Sequence, residues 1–393
     1  MADSLGIKSK FAFKKDHGLI AGGAIVYPEI PAAGSLAANH MIPASGESVG
    51  LSLERAKDPA LVGSGIQIPS SVVKKTAKGT VEGRLRYEGW ERLILCAMGF
   101  ESAITPGTPG GSPELADTGA YRHVFELDED LQDEGWAAGE RTGGSASDRK
   151  VRRGMLGEYK QVTSTEDWVW YSSMVDKMTV KATPSGVDMS FDLVAYDQVR
   201  GAYNHAAWTL PGSANGSAQC LFTGMRVRLG TRAGGVAACV DQGVNGIEIS
   251  LGNNLAAEDQ SALSGSHIVQ PLRSQFREVT LKLDYPRYSA DTNQSALDIN
   301  SEMIAAVIFT GALIAGTSYL RVGFFFDSLQ YLGAPAPIDS PGAIKESLTF
   351  QAHRVGSVTS VWNSYWPNVT TQKDCEMRCM IGNTISANYL NEN

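Results

Sequence analysis

The sequence predicts a mainly β protein, an antiparallel sandwich or barrel with one flanking helix. Three observations predict it. Segment after segment alternates apolar and polar residues with period two, 42 glycines and 16 prolines supply turns between them, and only one stretch has a convincing helical period.

Met1 to Pro43 is rich in Ala, Gly and Pro and basic at Lys8, Lys10, Lys14 and Lys15. Without periodicity, it reads as an extended arm ordered by contact with neighbours. Strand period begins near Val49. Thr80–Tyr87 sets Val81, Leu85 and Tyr87 against Thr80, Glu82, Arg84 and Arg86, a half-buried strand. The period then changes: Trp90, Leu93, Ile94, Ala97 and Met98 fall on one stripe of a short helix that Gly99 ends.

Glu101 to Ser147 carries two Gly/Pro-rich loops, Thr105–Pro113 and Gly135–Ser147, around a strand at Tyr121–Leu127. Trp168–Tyr171 is aromatic and strand-like. The clearest hairpin joins Lys177–Thr183 to Val187–Tyr196 through Pro184-Ser185-Gly186, whose proline presets φ and whose glycine accepts positive φ. In its second strand Val187, Met189, Phe191 and Leu193 point one way, and Asp188, Ser190 and Asp192 the other.

Further strands are predicted at Gly224–Gly230, Gly246–Leu251, Glu278–Tyr285, Tyr319–Leu332, Ser347–Val355 and within Cys375–Ile381, with a proline-stiffened loop at Gly333–Gly342. Gly79–Tyr87 and Arg277–Tyr285 are faintly alike, which chance, a shared strand grammar or an internal duplication explains equally.

The 393 residues, 43% hydrophobic and 19% charged, describe a globular chain able to bury a large core. A net charge of −8 argues against gripping nucleic acid, because that affinity comes from Lys and Arg displacing counterions from phosphates. An acidic wall would still let a polyanion slide past. No apolar core of signal-peptide length follows Met1, and the longest apolar run, Met303–Ala315, is too short to span a bilayer. Five scattered cysteines match neither a disulfide framework nor a zinc spacing and read as free thiols.

The sequence has no phosphate-cradling loop, no dinucleotide fingerprint and no histidine pair at ligand spacing among the six histidines. No cofactor, metal or enzymatic activity is expected. The acidic group Glu126, Asp128, Glu129, Asp130, Asp133 and Glu134 is the best metal candidate, yet lacks the sharp internal glycine turn of a calcium loop and reads better as solvated. Trp362, Tyr365 and Trp366 suit packing or subunit contact better than sugar stacking.

The segment Gly79–Gly99, GTVEGRLRYEGWERLILCAMG, resembles a recurring feature of phage tail-tube proteins, a G-x-x-x-G-x-L-x-Y strand leading into a helix that ends L-L-x-x-A-L-G. Ser48–Ser64 is similar to that family's opening strand and loop, Val175–Val194 to its tube-wall hairpin, and Gly246–Asn254 with Arg277–Tyr285 also fits. The resemblance is to the major tail-tube protein of long-tailed, siphovirus-like bacteriophages. It implies a non-enzymatic virion protein, assembled in the host cytoplasm, that stacks as rings into the tube through which DNA is ejected. The ring would be hexameric, or a pseudo-hexameric trimer. Its expected partners are copies of itself, tail terminator and tail-tip proteins, and in the lumen the tape-measure protein and double-stranded DNA bound without sequence preference; no membrane is involved. In this reading residues 1–43 are the arm, 44–290 the tube-like β domain with an insertion at 101–150, and 291–393 a β-rich extension or second tube-like half. Asp188, Ser190 and Asp192 would face the lumen, Trp90, Leu93, Ile94, Ala97 and Met98 would pack the helix, and Lys8, Lys10, Lys14 and Lys15 would touch the next ring. Rival readings are a capsid-decoration or baseplate protein and, less favoured, a carbohydrate-binding module.

Overall fold

A computed structural model describes residues 10–15, 20–21, 24–25, 41–56, 71–106, 120–127, 155–163, 165–203, 205–210, 218–256, 267, 271, 273–287, 301–316, 318–333, 345–356, 359–365 and 374–385. In chain order the strands are β1 (Phe11–Lys15), β2 (Ile20–Ala21), β3 (Ala24–Ile25), β4 (Gly46–Glu47), β5 (Gly50–Ala56) and β6 (Ser71–Arg84). The helix α1 (Glu91–Met98) precedes β7 (Gly99–Pro106), β8 (Tyr121–Leu127), β9 (Met155–Gln161), β10 (Asp167–Thr183), β11 (Gly186–Ala195) and β12 (Asp197–Gly201). The second half supplies β13 (Met225–Thr231), β14 (Val240–Asp241), β15 (Gly246–Gly252), β16 (Glu278–Tyr285), β17 (Met303–Ala315), β18 (Ser318–Gly333), β19 (Glu346–Ala352) and β20 (Arg378–Asn383).

The ladders connecting these strands are antiparallel, and two long strands organise them. β10 is flanked on one side by the nearly continuous β11–β12, and on the other by β9 beside its first half and β15 beside its second. β18 likewise has β19 and β20 on one side and β17 on the other. One long sheet therefore runs β5–β6–β11–β10–β15–β16–β19–β18, with β4 beside β5 on the edge of β6. The first half of β18 continues into a second layer that also holds β17, β13, β14, β20, β8 and β7.

The expectation of a sandwich or barrel resolves here towards layers. Among the described residues no ladder returns to close the sheet, so it is open rather than a barrel. Among the described residues the outer edge of β4–β5 and Gln330–Gly333 of β18 carry no further ladder, an edge of the kind isolated proteins normally blunt.

Alternation decides which face is buried. Val187, Met189, Phe191 and Leu193 of β11, Met178 and Val180 of β10, Ile247, Ile249 and Leu251 of β15 and Val279, Leu281 and Leu283 of β16 are at most 1% exposed. They meet α1 and the inward side chains Leu320, Val322, Phe324 and Phe326 of β18 in one core. Removing this much apolar area from water is the main favourable term in the fold.

The helix begins at Trp90 without a side-chain cap; instead Glu91 Oε2 accepts the Gly89 N–H at 2.7 Å. It ends at Gly99, whose φ of 96° is left-handed and open to glycine at no steric cost. All eight helical residues are buried, polar Glu91 and Arg92 included, because α1 packs against β10, β8, β7 and β1. A single apolar stripe underestimates that enclosure.

The G-x-x-x-G spacing before the helix has a steric basis. A Cβ on Gly79 would lie 2.3 Å from Val49 Cα, and one on Gly83 would lie 2.9 Å from both the Trp90 indole and Pro43 O. The first glycine lets the chain at 48–50 cross β6, and the second makes room for the tryptophan.

Met303–Ala315, noted in the sequence only as an apolar run, is the 13-residue strand β17. Its first seven residues are buried and carry no alternation for sequence reading to find. Among the described residues no helix is long and apolar enough to cross a membrane.

Candidate functional site: the polar face of the long sheet

The face of the long sheet opposite α1 is built by the same alternation that builds the core. Register places Arg84, Asp188, Lys181, Glu248, Lys282 and Thr349 side by side across β6, β11, β10, β15, β16 and β19. The adjacent row reads Glu82, Ser190, Thr179, Ser250, Thr280 and Gln351, and the next begins Thr80, Asp192 and Lys177. The first five residues of the first row alternate in sign, so neighbours satisfy one another across the strands.

Particular contacts follow from that register. Arg84 Nη1 lies 3.1 Å from Asp188 Oδ1, Thr80 Oγ1 donates to Asp192 Oδ1 at 2.7 Å, and Ser347 Oγ donates to Asp284 Oδ1 at 2.7 Å. The Arg84–Asp188 pair is 40% and 59% exposed, so it adds little stability. Its effect is to hold charge flat against the sheet. Short hydroxyls and paired ions make these rows nearly neutral, with no cationic stripe among them for phosphate to settle on.

Asp188, Ser190 and Asp192 thus lie together on this face, one side chain per second residue of β11. Trp90, Leu93, Ile94, Ala97 and Met98 lie in the core on the opposite side. The Trp90 ring stacks on Phe191 at a centroid separation of 5.8 Å and donates its indole N–H to Arg84 O at 3.2 Å. Lys10 Nζ donates to His205 O and Trp208 O at 3.1 and 3.0 Å, fastening the chain before β1 to the segment that follows β12. Lys14 lies on β1, which pairs with β9. Lys8 and the side chain of Lys15 lie outside the described residues.

Two buried polar clusters tie the second layer together, and sequence reading located neither. Arg378 on β20 donates from Nε to Glu126 Oε1 at 2.7 Å and from Nη1 to Asp327 of β18. Asp327 Oδ1 also accepts Ser360 Oγ at 2.6 Å and the Val361 N–H at 3.1 Å. Glu126, grouped in the sequence with a solvated acidic loop, is therefore a buried ion partner, while Asp128 to Glu134 lie outside the described residues.

The second cluster surrounds His123. Its Nδ1 is 2.8 Å from Glu101 Oε1 and its Nε2 2.8 Å from Ile385 O, an arrangement that a doubly protonated ring satisfies at both nitrogens. Burial alone drives the imidazole towards neutrality; the Glu101 bond overcomes this and holds its pKa above the ordinary histidine value. Nearby, burial raises the pKa of Glu91, which accepts Asn383 Nδ2 at 2.8 Å.

Trp362 is fully buried, donates to Phe326 O at 3.1 Å and packs on Phe325, so it has no ring face to offer a sugar. Tyr365 packs against the same phenylalanine, and Trp366 lies outside the described residues. Among the described residues no group of three or more His, Cys, Asp or Glu side chains is placed to hold a metal ion.

Two comparisons bear on this arrangement. The family model described as "Phage tail tube protein" matches residues 22–352. No curated protein matches the chain.

Proposed function

Because the chain belongs to the phage tail tube protein family and is a structural protein of the virion tail, we propose that it assembles with copies of itself into stacked rings whose joined sheets form the bore for DNA ejection. The single observation carrying this reading is the two-faced long sheet, apolar against α1 and evenly polar on the other side, whose outer edges on β4–β5 and at Gln330–Gly333 of β18 carry no ladder among the described residues. Copies of the same molecule satisfy such edges without exposing them to aggregation.

In this reading the rows holding Asp188, Ser190 and Asp192 line the bore. They count five carboxylates (Glu82, Asp188, Asp192, Glu248, Glu278) against four cations (Arg84, Lys177, Lys181, Lys282). A wall of that balance neither attracts nor strongly repels the duplex, so DNA slides instead of sticking. The tape-measure protein would occupy the same bore before DNA does, and terminator and tip proteins would close the two ends. The arm at residues 1–43, with Lys8, Lys10, Lys14 and Lys15, would contribute to contacts between rings. Assembly takes place in the host cytoplasm, in a long-tailed phage of the siphovirus type.

Reversing Asp188, Asp192 and Glu248 to lysine tests the bore. Tubes of this variant should retain linear double-stranded DNA at low salt and release it steeply as salt rises, while wild-type tubes retain little. Equal retention by both would remove these residues from the bore.

A further inference from the structure

Glu47, Lys160 and Glu158 form a group that neither the apolar core nor the polar face accounts for. Glu47 stands on β4 opposite Val81 of β6, so strand parity turns it, like the fully buried Val81, towards the apolar side of the sheet. There its Oε2 is in direct contact with Lys160 Nζ of β9, 113 residues away in sequence. Glu158, two residues before Lys160, lies on the same face of β9. Aromatic side chains frame the group. Register sets Lys160 between Phe11 of β1 and Trp168 of β10, and Glu158 between Phe13 and Trp170 of the same two strands. Lys160 Nζ stands 6.0 Å from the centre of the Phe11 ring, and Phe13 and Trp170 belong to the core around α1.

Charge is poorly matched in this setting. The Glu47 side chain and Glu158 are both 0% exposed, so two carboxyl groups shielded from water share one amine. Among the described residues Glu47 Oε1 and both carboxyl oxygens of Glu158 have no hydrogen-bond partner. A buried ion pair repays its desolvation only when the remaining lone pairs are satisfied, and here three are not. Burial first, and then the neighbouring Glu47 charge, hold the Glu158 carboxyl well above the usual carboxylate range, with Lys160 opposing them. Glu158 is therefore an acid with its proton in place, beside an amine and a carboxyl already in contact.

We infer that Lys160 and Glu47 condense into an intramolecular isopeptide bond that joins β9 to β4, with Glu158 transferring the protons. One proton moving within the ion pair gives a neutral amine and a neutral acid, the forms that a desolvated site favours. The amine nitrogen adds to Glu47 Cδ while Glu158 protonates the carbonyl oxygen, and the Glu158 carboxylate then takes a proton from the nitrogen. Glu158 gives that proton to one of the two hydroxyls on Cδ, which leaves as water, and recovers the proton of the other as the amide carbonyl forms. One Nζ–Cδ bond replaces one Cδ–O bond, no atom changes oxidation state, and Glu158 ends protonated as it began. Strands that hold the reacting atoms together supply the proximity such a step needs, and the 27% exposure of the Lys160 side chain leaves a way out for the water. The amide removes the buried charges, and a covalent link across so long a stretch of chain restricts the unfolded state.

The intact mass of the purified full-length protein, measured after denaturation, tests this. Wild type should weigh one water less than its sequence, and trypsin should release a branched peptide joining residues 16–55 to residues 154–177, uncut at Lys160. Lys160→Arg keeps a cation but offers no amine that condenses, and Glu158→Gln keeps the size but has no acid proton to pass on. Both variants should carry the full sequence mass, yield only linear peptides and melt at a lower temperature than wild type. A wild-type protein at full sequence mass, its Lys160 and Glu47 in separate peptides, would overturn the inference and leave an ordinary ion pair. A Lys160→Arg or Glu158→Gln protein that still lacks one water would overturn it as well. Neither result bears on the assembly proposed above, which does not depend on this bond.

Discussion

Replacing Arg378 with methionine removes one guanidinium from between two carboxylates. Arg378 is 1% exposed, bonds Glu126 at 2.7 Å through Nε and reaches Asp327 through Nη1. Methionine fills most of the aliphatic volume, so little of the loss comes from a cavity. What remains is two buried negative charges without a counter-ion, a change that costs about 3–5 kcal/mol in comparable sites. With an unfolding entropy of roughly 2.1 cal/mol/K per residue, a chain this long should lose about 4–6 °C in melting temperature. Chemical denaturation of the unassembled subunit, followed by near-ultraviolet circular dichroism, measures the effect directly. The triple variant Glu126→Gln/Asp327→Asn/Arg378→Met should recover at least half of the loss, since the Asp327→Asn change keeps the acceptor used by Ser360 Oγ and Val361 N–H. A single variant within about 1 kcal/mol of wild type, or a triple variant no better than the single, would refute the claim that charge burial holds β8, β18 and β20 together.

Other expectations are as specific. Gly79→Ala forces a Cβ to within 2.3 Å of Val49 Cα and should destabilise by about 3 kcal/mol or more, measured by the same denaturation; a neutral result would mean that the crossing at 48–50 relaxes freely. His123, with a raised folded pKa, contributes stability in full below its unfolded value of about 6.5 and loses it as pH climbs through the folded value. The stability difference between wild type and His123→Gln should therefore be largest at acidic pH and shrink under alkaline conditions; a difference independent of pH would contradict protonation of this ring. Burial pushes the Cys375 thiol up to about 12 and the Cys220 and Cys379 thiols higher still. Iodoacetamide at pH 8 should leave these three thiols unlabelled in the native protein and label them once it is denatured, read by mass spectrometry. Rapid labelling of any of the three in the native state would count against the closed core.

Much of this fold was legible because one face of the long sheet is dry and the other wet. Val187 to Leu193 alternates in the sequence and in the structure for the same reason, and Gly99 ends the helix because only a residue without a Cβ enters its φ cheaply. The same parity in the sequence sets Asp188, Ser190 and Asp192 together on one face. Legibility fails where both sides of a strand are covered. β17 opens with seven buried residues, and β8, read as a strand from the sequence, buries six of seven, so no outward period marks Glu126 and His123 as buried. The partnership of Glu126 with Arg378 spans 252 residues and leaves no local signal.

A three-dimensional reconstruction by electron cryo-microscopy of tubes grown from the purified wild-type protein tests the central claim most directly. The account predicts a hollow polymer in which the rows through Asp188, Ser190 and Asp192 face the bore and α1 lies behind them. A tube with that face turned outward, or a subunit that stays monomeric at high concentration, would contradict it.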